Sequence, residues 1–493
     1  MELSVTLISA GLLIVLLLLF NLKNRKKKRC LPPGPSGLPI FGNLLQLDKR
    51  APFKTLQKLS ERYGPVVTVY LGSQRFVVLV GYDTVTEALM DQSDDFNGRG
   101  CLPFTMKVTK GYGLGISNGD RWRQLRRFTL TTLRDFGMGP NGMEEWVQEE
   151  ARHLVARMRN TKGSPFDPTY FLSCAVSNVI CCLVFGQRFS YDDTHFLHLL
   201  QSITETLKFN SSPWGQLYNI FPRLMEWLPG QQHQVFAMIE ELRNFTSKKI
   251  QEHQDTLDPS SPRDYIDCFL NRHSQEKHLS ASEFHHENLV STVFNLFLAG
   301  TETTSSTLRY ALNVLVKYPK IQESVQQEID TVIGRERSPT IEDRKSLHFT
   351  DAVLHEIQRL MDLVPMSIPR CALKDISFRG YTIPKGTMII FLLHSVLKGE
   401  ELWETPWSFN PQHFLDHNGK FKKNPAFLAF AIGKRACVGE SLAHMKIFLF
   451  LVSLLQLFTF SVSGGPDSVD LSPEYGSFAN LPRRYNIIAT PRR

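Results

Sequence analysis

Around one cysteine the chain gathers the residue types that could hold a metal in a flat ring. Phe430-Ala431-Ile432-Gly433-Lys434-Arg435-Ala436-Cys437-Val438-Gly439-Glu440 combines two glycines, basic residues and a single cysteine just ahead of a helical run over 441–458. A thiolate ligand for haem iron needs such a loop. Gly433 and Gly439 let the backbone approach a planar macrocycle, and amides aimed at the sulfur tune its electron donation. Arg435 could pair with a propionate. A buried thiol in a glycine turn is the competing reading, because free cysteine is often core.

Other stretches carry chemistry at helical spacing. Over 293–314 an apolar helical pattern is interrupted by Thr301-Glu302-Thr303-Thr304-Ser305-Ser306-Thr307, residues that lower helix propensity and offer competing backbone bonds. The helix is expected to bulge there. Small Ala299 and Gly300 would leave room above a metal, while Thr303 and Glu302 could order water and deliver protons. A solvated Ser/Thr face is the alternative. Glu356 and Arg359 stand three apart, and an ordinary surface pair of that spacing contributes only about 0.2–0.5 kcal/mol. His355-Glu356 opens like the zinc motif His-Glu-x-x-His, but position 359 is Arg, which cannot ligate zinc. The chain has no Walker loop, Gly111-Tyr112-Gly113-Leu114-Gly115-Ile116 fails Gly-x-Gly-x-x-Gly at its sixth position, and there is no nicotinamide, flavin or iron–sulfur motif. Electrons for a redox iron must then come from another protein.

Phe430-x-x-Gly433-x-Arg435-x-Cys437-x-Gly439 resembles the haem-binding signature of the cytochrome P-450 superfamily. Glu356-Ile357-Gln358-Arg359, Ala299-Gly300-Thr301-Glu302-Thr303-Thr304 and Trp122-Arg123-Gln124-Leu125-Arg126 resemble its Glu-x-x-Arg motif, its oxygen-binding helix and its haem-side helix. Phe96-Asn97-Gly98-Arg99-Gly100 and Phe409-Asn410-Pro411-Gln412-His413-Phe414 are similar to the vertebrate microsomal family 2, and the tail resembles the fish-type subfamily K. The resemblance implies haem b with Cys437 as axial ligand, a thiolate that favours O–O cleavage, and O2 as co-substrate. It implies propionate anchoring by Trp122, Arg126, Arg99, Arg435 and Arg370, and a buried Glu356–Arg359 network reaching the Pro411–Phe414 turn. His413 takes the place of the arginine familiar in that turn, so its bonding is pH-sensitive in principle. Ala429 and Ala431 stand where relatives commonly have proline and serine.

The same resemblance implies NADPH-derived electrons delivered by a flavoprotein, cytochrome P-450 reductase, with cytochrome b5 as an optional donor. Arg121, Arg123, Arg127, Lys422, Lys423 and Lys434 are the candidate docking cations, a solvated charged face being the alternative. A distal wall is implied from 101–116, 203–210, 295–303, 363–368 and 476–479. Ile116, Leu298, Ala299, Thr303, Leu363, Val364, Met366, Ile368 and Phe478 are its expected substrate contacts, some of which could equally be core. Most are apolar, which selects lipophilic shape. Leu298 stands at a position often small in relatives and would narrow the space beside iron.

These residues need a large scaffold, and the chain can supply one: 493 residues, 42% hydrophobic and 21% charged. The expected fold class is mainly α with a minor β part, the cytochrome P-450 fold, behind a single N-terminal transmembrane helix. An uncharged run of 18 residues over 3–20 spans about 27 Å, enough to cross a bilayer once. Six of the seven residues 23–29 are basic, which leaves the body cytosolic at the endoplasmic reticulum; a cleaved signal would carry its charge ahead of the apolar run. Sequons at Asn210 and Asn244 are accordingly expected bare. Of the net +8, residues 1–30 contribute +5, so no basic groove for nucleic acid is supported. The eight cysteines show no disulfide framework.

Three segments follow: a signal-anchor over 1–22, a basic and proline-rich hinge over 23–43, and one catalytic domain over 44–493. Strands are expected at Val66–Leu71 and 76–80, helices over most of 82–360, and a hairpin over 382–390. The stretch 221–229 is amphipathic and could either enter a bilayer surface or pack as core. The expected activity is a membrane-bound haem-thiolate monooxygenase acting on fatty acids, steroids or xenobiotics. A reductase-independent isomerase or peroxygenase and a non-redox lipid-binding protein are the rivals.

Overall fold

The computed structural model describes residues 31–100, 102–138, 142–476 and 479–492. The anchor run over 3–20, its basic flank, Cys101 and Phe478 lie outside the described residues. By contacts the chain divides into two compact units, Met1–Gly100 with Met366–Leu392, and Cys101–Pro365 with Leu393–Arg493.

The first unit is built on a four-stranded sheet. Its elements are helix α1 (Pro52–Tyr63), β1 (Val66–Leu71), β2 (Gln74–Val80), β3 (Arg370–Cys371), β4 (Ile376–Phe378), β5 (Tyr381–Ile383) and β6 (Met388–Leu392), with β1-β2-β6-β3 forming the sheet. β1 and β2 are an antiparallel hairpin in which Leu71 faces Gln74 across Gly72-Ser73, and β2 runs parallel to β6. Val77, Val78 and Leu79 are fully buried, which is why β2 reads as a continuous apolar run rather than an alternating one. The proline-rich segment lies along β1: the Pro33 carbonyl accepts the Thr68 amide and the Pro32 carbonyl accepts the Thr68 hydroxyl, each at 2.8 Å. Prolines, lacking an N–H, suit this edge position.

The expected hairpin over 382–390 does not form. β5 pairs with β4 while β6 pairs with β2 and β3, so the two halves belong to different sheets. Gly386 at φ 80° turns the chain, its amide on the Ala372 carbonyl, and Pro384 has no N–H for a ladder.

The second unit is helical. Its principal helices are α2 (Gly119–Met138), α3 (Met143–Arg159), α4 (Thr169–Phe185), α5 (Thr194–Ser211), α6 (Pro222–Trp227), α7 (Gln231–Thr256), α8 (His286–Lys317), α9 (His348–Met361) and α10 (Glu440–Leu457). The hairpin-like pairs β7 (Phe458–Ser461) with β10 (Ile488–Pro491), and β8 (Glu474–Tyr475) with β9 (Asn480–Leu481), complete it. α8 and α10 form its spine. Although α10 is long and apolar enough to cross a membrane, it is core: Phe448 to Val452 are at most 1% exposed.

α8 stays α-helical through 286–317, so the bulge expected at its polar stretch is absent. The competing bonds are made inside the helix instead: Thr303 Oγ1 donates to the Ala299 carbonyl at 2.6 Å and Thr307 Oγ1 to the Thr303 carbonyl at 2.8 Å. Gly300 allows α4 to press close, since a Cβ there would lie 2.6 Å from Ile180 Cδ1.

Candidate active site

The Cys437 loop is a tight coil that ends at the N-terminus of α10. Ala431 (φ 56°) and Gly433 (φ 77°) are both left-handed, folding the chain so that the Cys437 amide reaches the Phe430 carbonyl at 3.0 Å. At Ala431 this conformation costs about 1–2 kcal/mol, whereas Gly433 adopts it without that penalty. The Cys437 side chain is exposed to solvent-sized atoms, yet burial pushes its pKa up. The Gly439 amide bonds to the Cys437 sulfur and opposes the rise, as do the nearby charges of Arg126 and Lys446. A helix N-terminus with an amide aimed at sulfur is the setting that favours thiolate.

α2 supplies one flank of the loop. Arg126 donates from Nη2 to the Ala436 carbonyl at 2.8 Å. Arg435, 7% exposed, lies with its guanidinium carbon 4.0 Å from the Trp122 ring centre and donates to the Ser117 carbonyl at 2.7 Å. Trp122, Arg126 and Arg435 are therefore one cluster. Arg99 and Arg370 belong to the first unit, where they face each other across a β-bridge and Arg99 donates to the Ile368 carbonyl at 2.5 Å.

A partly open cavity lies where α8, α9, α10 and the cysteine loop converge. Thr303, Leu363, Val364 and Phe430 line it. Ala299 is also exposed, four residues from Thr303 on a helix otherwise largely buried. Ile116 is brought near the same helix, since the amide of the preceding Gly115 bonds to Asn295 Oδ1 at 2.9 Å. Leu298, like Leu363, is partly buried against the core, and Met366 and Ile368 lie in the first unit. Glu302 is 7% exposed and is held by the Thr204 and Ser306 hydroxyls, each at 3.3 Å, so its carboxylate faces α5.

Behind the loop, Glu356, Arg359 and His413 meet in a buried network. Arg359 binds Glu356 through two bonds of 2.7 Å and donates to the Leu397, Pro406 and Ser408 carbonyls, its guanidinium over Trp403. The other face of Glu356 takes the Asn410 amide at 2.9 Å and His413 Nδ1 at 3.1 Å. The Thr405 amide donates to His413 Nε2 at 3.2 Å, so Nε2 is the acceptor and Nδ1 carries the proton given to Glu356. Only Glu356 reaches the Pro411–Phe414 turn; Arg359 secures the strand of chain before it.

Sequence reasoning passed over Lys446, Gln358, Ala443 and Ile447. The last three line the cavity, and Lys446 is a single cation inside the apolar run of α10, a signal that was available.

The arrangement fits a flat, metal-bearing dianion: one accessible sulfur at a helix N-terminus, a left-handed glycine where backbone must come close, a buried Arg435 and a half-buried Arg126 beside the loop, and an apolar wall. A family model for Cytochrome P450 matches residues 32–489. Cytochrome P450 2F3 of Capra hircus is 47% identical over 98% of this chain and 99% of its own. Cytochrome P450 2G1 of Oryctolagus cuniculus is 48% identical over 97% of each chain, and Cytochrome P450 2C23 of Rattus norvegicus 50% over 94% of each. Members of this family use haem iron and O2 with NADPH-derived electrons passed through a reductase. The chain thus belongs to the cytochrome P450 family, within its vertebrate family 2, and is a haem-thiolate monooxygenase.

Proposed function

We propose that this chain, anchored in the endoplasmic reticulum membrane by residues 3–20 with its body cytosolic, places one oxygen atom from O2 into lipophilic substrates such as fatty acids, steroids or xenobiotics. Its electrons come from an NADPH-dependent flavoprotein reductase, with cytochrome b5 as an accessory donor. The observation that carries the reading is Cys437, accessible yet desolvated at the start of α10, in a loop whose Phe430 lines a cavity with an apolar wall. The domain division is a signal-anchor over 1–22, a hinge over 23–43 and a catalytic body over 44–493, and the tail points to subfamily K.

Haem, when bound, supplies the oxygen activation. The chain does the rest: Cys437 would hold the iron through its thiolate, and Gly433 and Gly439 would give the backbone its approach, with the Phe430 carbonyl holding the Cys437 amide. Trp122, Arg126 and Arg435 hold a propionate, Arg126 and Arg435 suiting it because a guanidinium stays charged when buried. Ala299 leaves room on the far side, and Thr303 presents a hydroxyl to the cavity. Glu302 supplies protons to Thr303, a role that needs its carboxylate to swing away from Thr204. Glu356, Arg359 and His413 fix the segment that supports the cysteine loop. Leu363, Val364 and Ile116 favour apolar substrates, and no charged side chain is among those lining the cavity.

The test is turnover of medium-chain fatty acids by the full-length protein with reductase and NADPH under 18O2. One labelled oxygen per product molecule is expected. Turnover with peroxide but none with reductase would replace this reading with the peroxygenase one, and folded protein without haem would leave only lipid binding.

A further inference from the structure

α10 buries one cation in the middle of its apolar run. Lys446 is 1% exposed, so its head group has given up its hydration. Its Nζ donates to the carbonyl of Gly300 on α8 at 2.7 Å. A carbonyl has two lone pairs, so Gly300 can accept this bond and keep its helical one.

The position of that bond is what matters. Gly300 follows Ala299 directly and lies in the turn that carries Thr303, while Ala443 and Ile447, beside Lys446 on α10, line the cavity together with Thr303 and Thr304. Lys446 therefore ties the two cavity walls together from behind. The same turn is clamped on its other side by α4, where Ser177 donates to Thr301 Oγ1 at 3.0 Å and Ile180 fills the space beside Gly300. Because Thr303 Oγ1 is bonded to the Ala299 carbonyl, the hydroxyl moves with this turn. Burial pulls the Lys446 pKa down to about 7, with Cys437 acting in the opposite sense. Ammonium and free amine both carry N–H groups, so the bond to Gly300 holds in either form.

We propose that Lys446 is a positioning residue: its bond to Gly300 sets where Ala299 and Thr303 stand in the cavity, and thereby how much reducing power ends in product. This rests on the reading of Cys437 as the haem ligand. In the productive turnover O2, two electrons and two protons give one oxygen atom in the substrate and one in water. In the unproductive one the same electrons and protons leave with O2 as hydrogen peroxide.

The experiment compares haem-loaded parent, Lys446→Met and Lys446→Arg. The spectrum of the reduced, CO-bound protein first shows whether thiolate ligation is intact; its absence in the parent would overturn the Cys437 reading rather than this one. With that band present, Lys446→Met is expected to speed amide hydrogen exchange at 300–304 about tenfold, the loss of one buried hydrogen bond. It should also raise the peroxide formed per NADPH several-fold, and Lys446→Arg should restore both toward parent. Parent-like exchange and peroxide yield in Lys446→Met would overturn the proposal. Should Lys446→Met lose haem, Lys446→Leu, which likewise has no donor, decides. Faster exchange with more peroxide supports the proposal, and parent values in a neutral, shorter side chain refute it.

Discussion

His444 shows how burial beside the cysteine loop becomes a pH dependence. Its ring stands 4.9 Å from that of Phe430 and 5.2 Å from that of His355, and burial, with the neighbouring His355 adding to it, pulls its pKa down to about 3. The unfolded chain takes this proton near 6.5. Between those values the unfolded state binds more protons, so stability is fully present above pH 6.5 and falls as pH drops toward 3. Thermal midpoints measured across that window should decline, and His444→Gln should flatten the slope; an unchanged slope would mean other groups dominate. Arg126 acts on the same loop from outside. Arg126→Ala should lower the haem-to-protein ratio several-fold after gel filtration, and a normal ratio would remove it from the anchoring set. Cys437 and Arg435 stood out by residue type and spacing and Trp122 by the family resemblance; the structure sets Arg435 over the Trp122 ring. The orientation of Glu302 toward Thr204 was not legible, since it depends on a hydroxyl from α5, about a hundred residues away in sequence.

At the scale of elements, the pattern of apolar residues announced α8, α9 and α10 because each buries one face or more against its neighbours. It failed where long-range pairing decides. Nothing local to 382–390 says that β6 prefers the parallel edge of β2 to its own neighbour β5, and a helix with seven consecutive polar residues stays regular only because their hydroxyls bond back to its carbonyls. The Glu356–Arg359 pair is a further case: sequence alone gives an i,i+3 surface pair, whereas packing around Trp403 makes it fully buried. Glu356→Ala would leave the Arg359 guanidinium without its counter-charge in that interior, a loss of about 3–5 kcal/mol. A denaturant midpoint equal to the parent's would show that the network is not what fixes this region.

For the whole molecule, charge and apolar surface suggest how it meets its partners. Arg123, Arg127, Lys422, Lys423 and Lys434 are exposed on the second unit, Arg123 in an open pair with Asp120, whereas Arg121 is half-buried against Glu283 at 2.7 Å and contributes less. Charge reversal at Arg123 and Lys434 should slow reduction by the reductase more at low salt than at high, because screening weakens steering between exposed charges. Equal rates at both ionic strengths would discard this face. On α6, Leu224 and Trp227 are 57% and 89% exposed while Met225 is buried, the amphipathic division read from sequence and now resolved into an outward apolar edge. All of this matters only if the second unit holds its metal through sulfur. The most direct measurement is the visible spectrum of the dithionite-reduced, CO-bound protein beside Cys437→Ser. A strongly red-shifted Soret band in the parent, absent in the variant, is the expected result; an unshifted band in well-folded parent, or a shifted band that survives the substitution, would contradict Cys437 as the ligand.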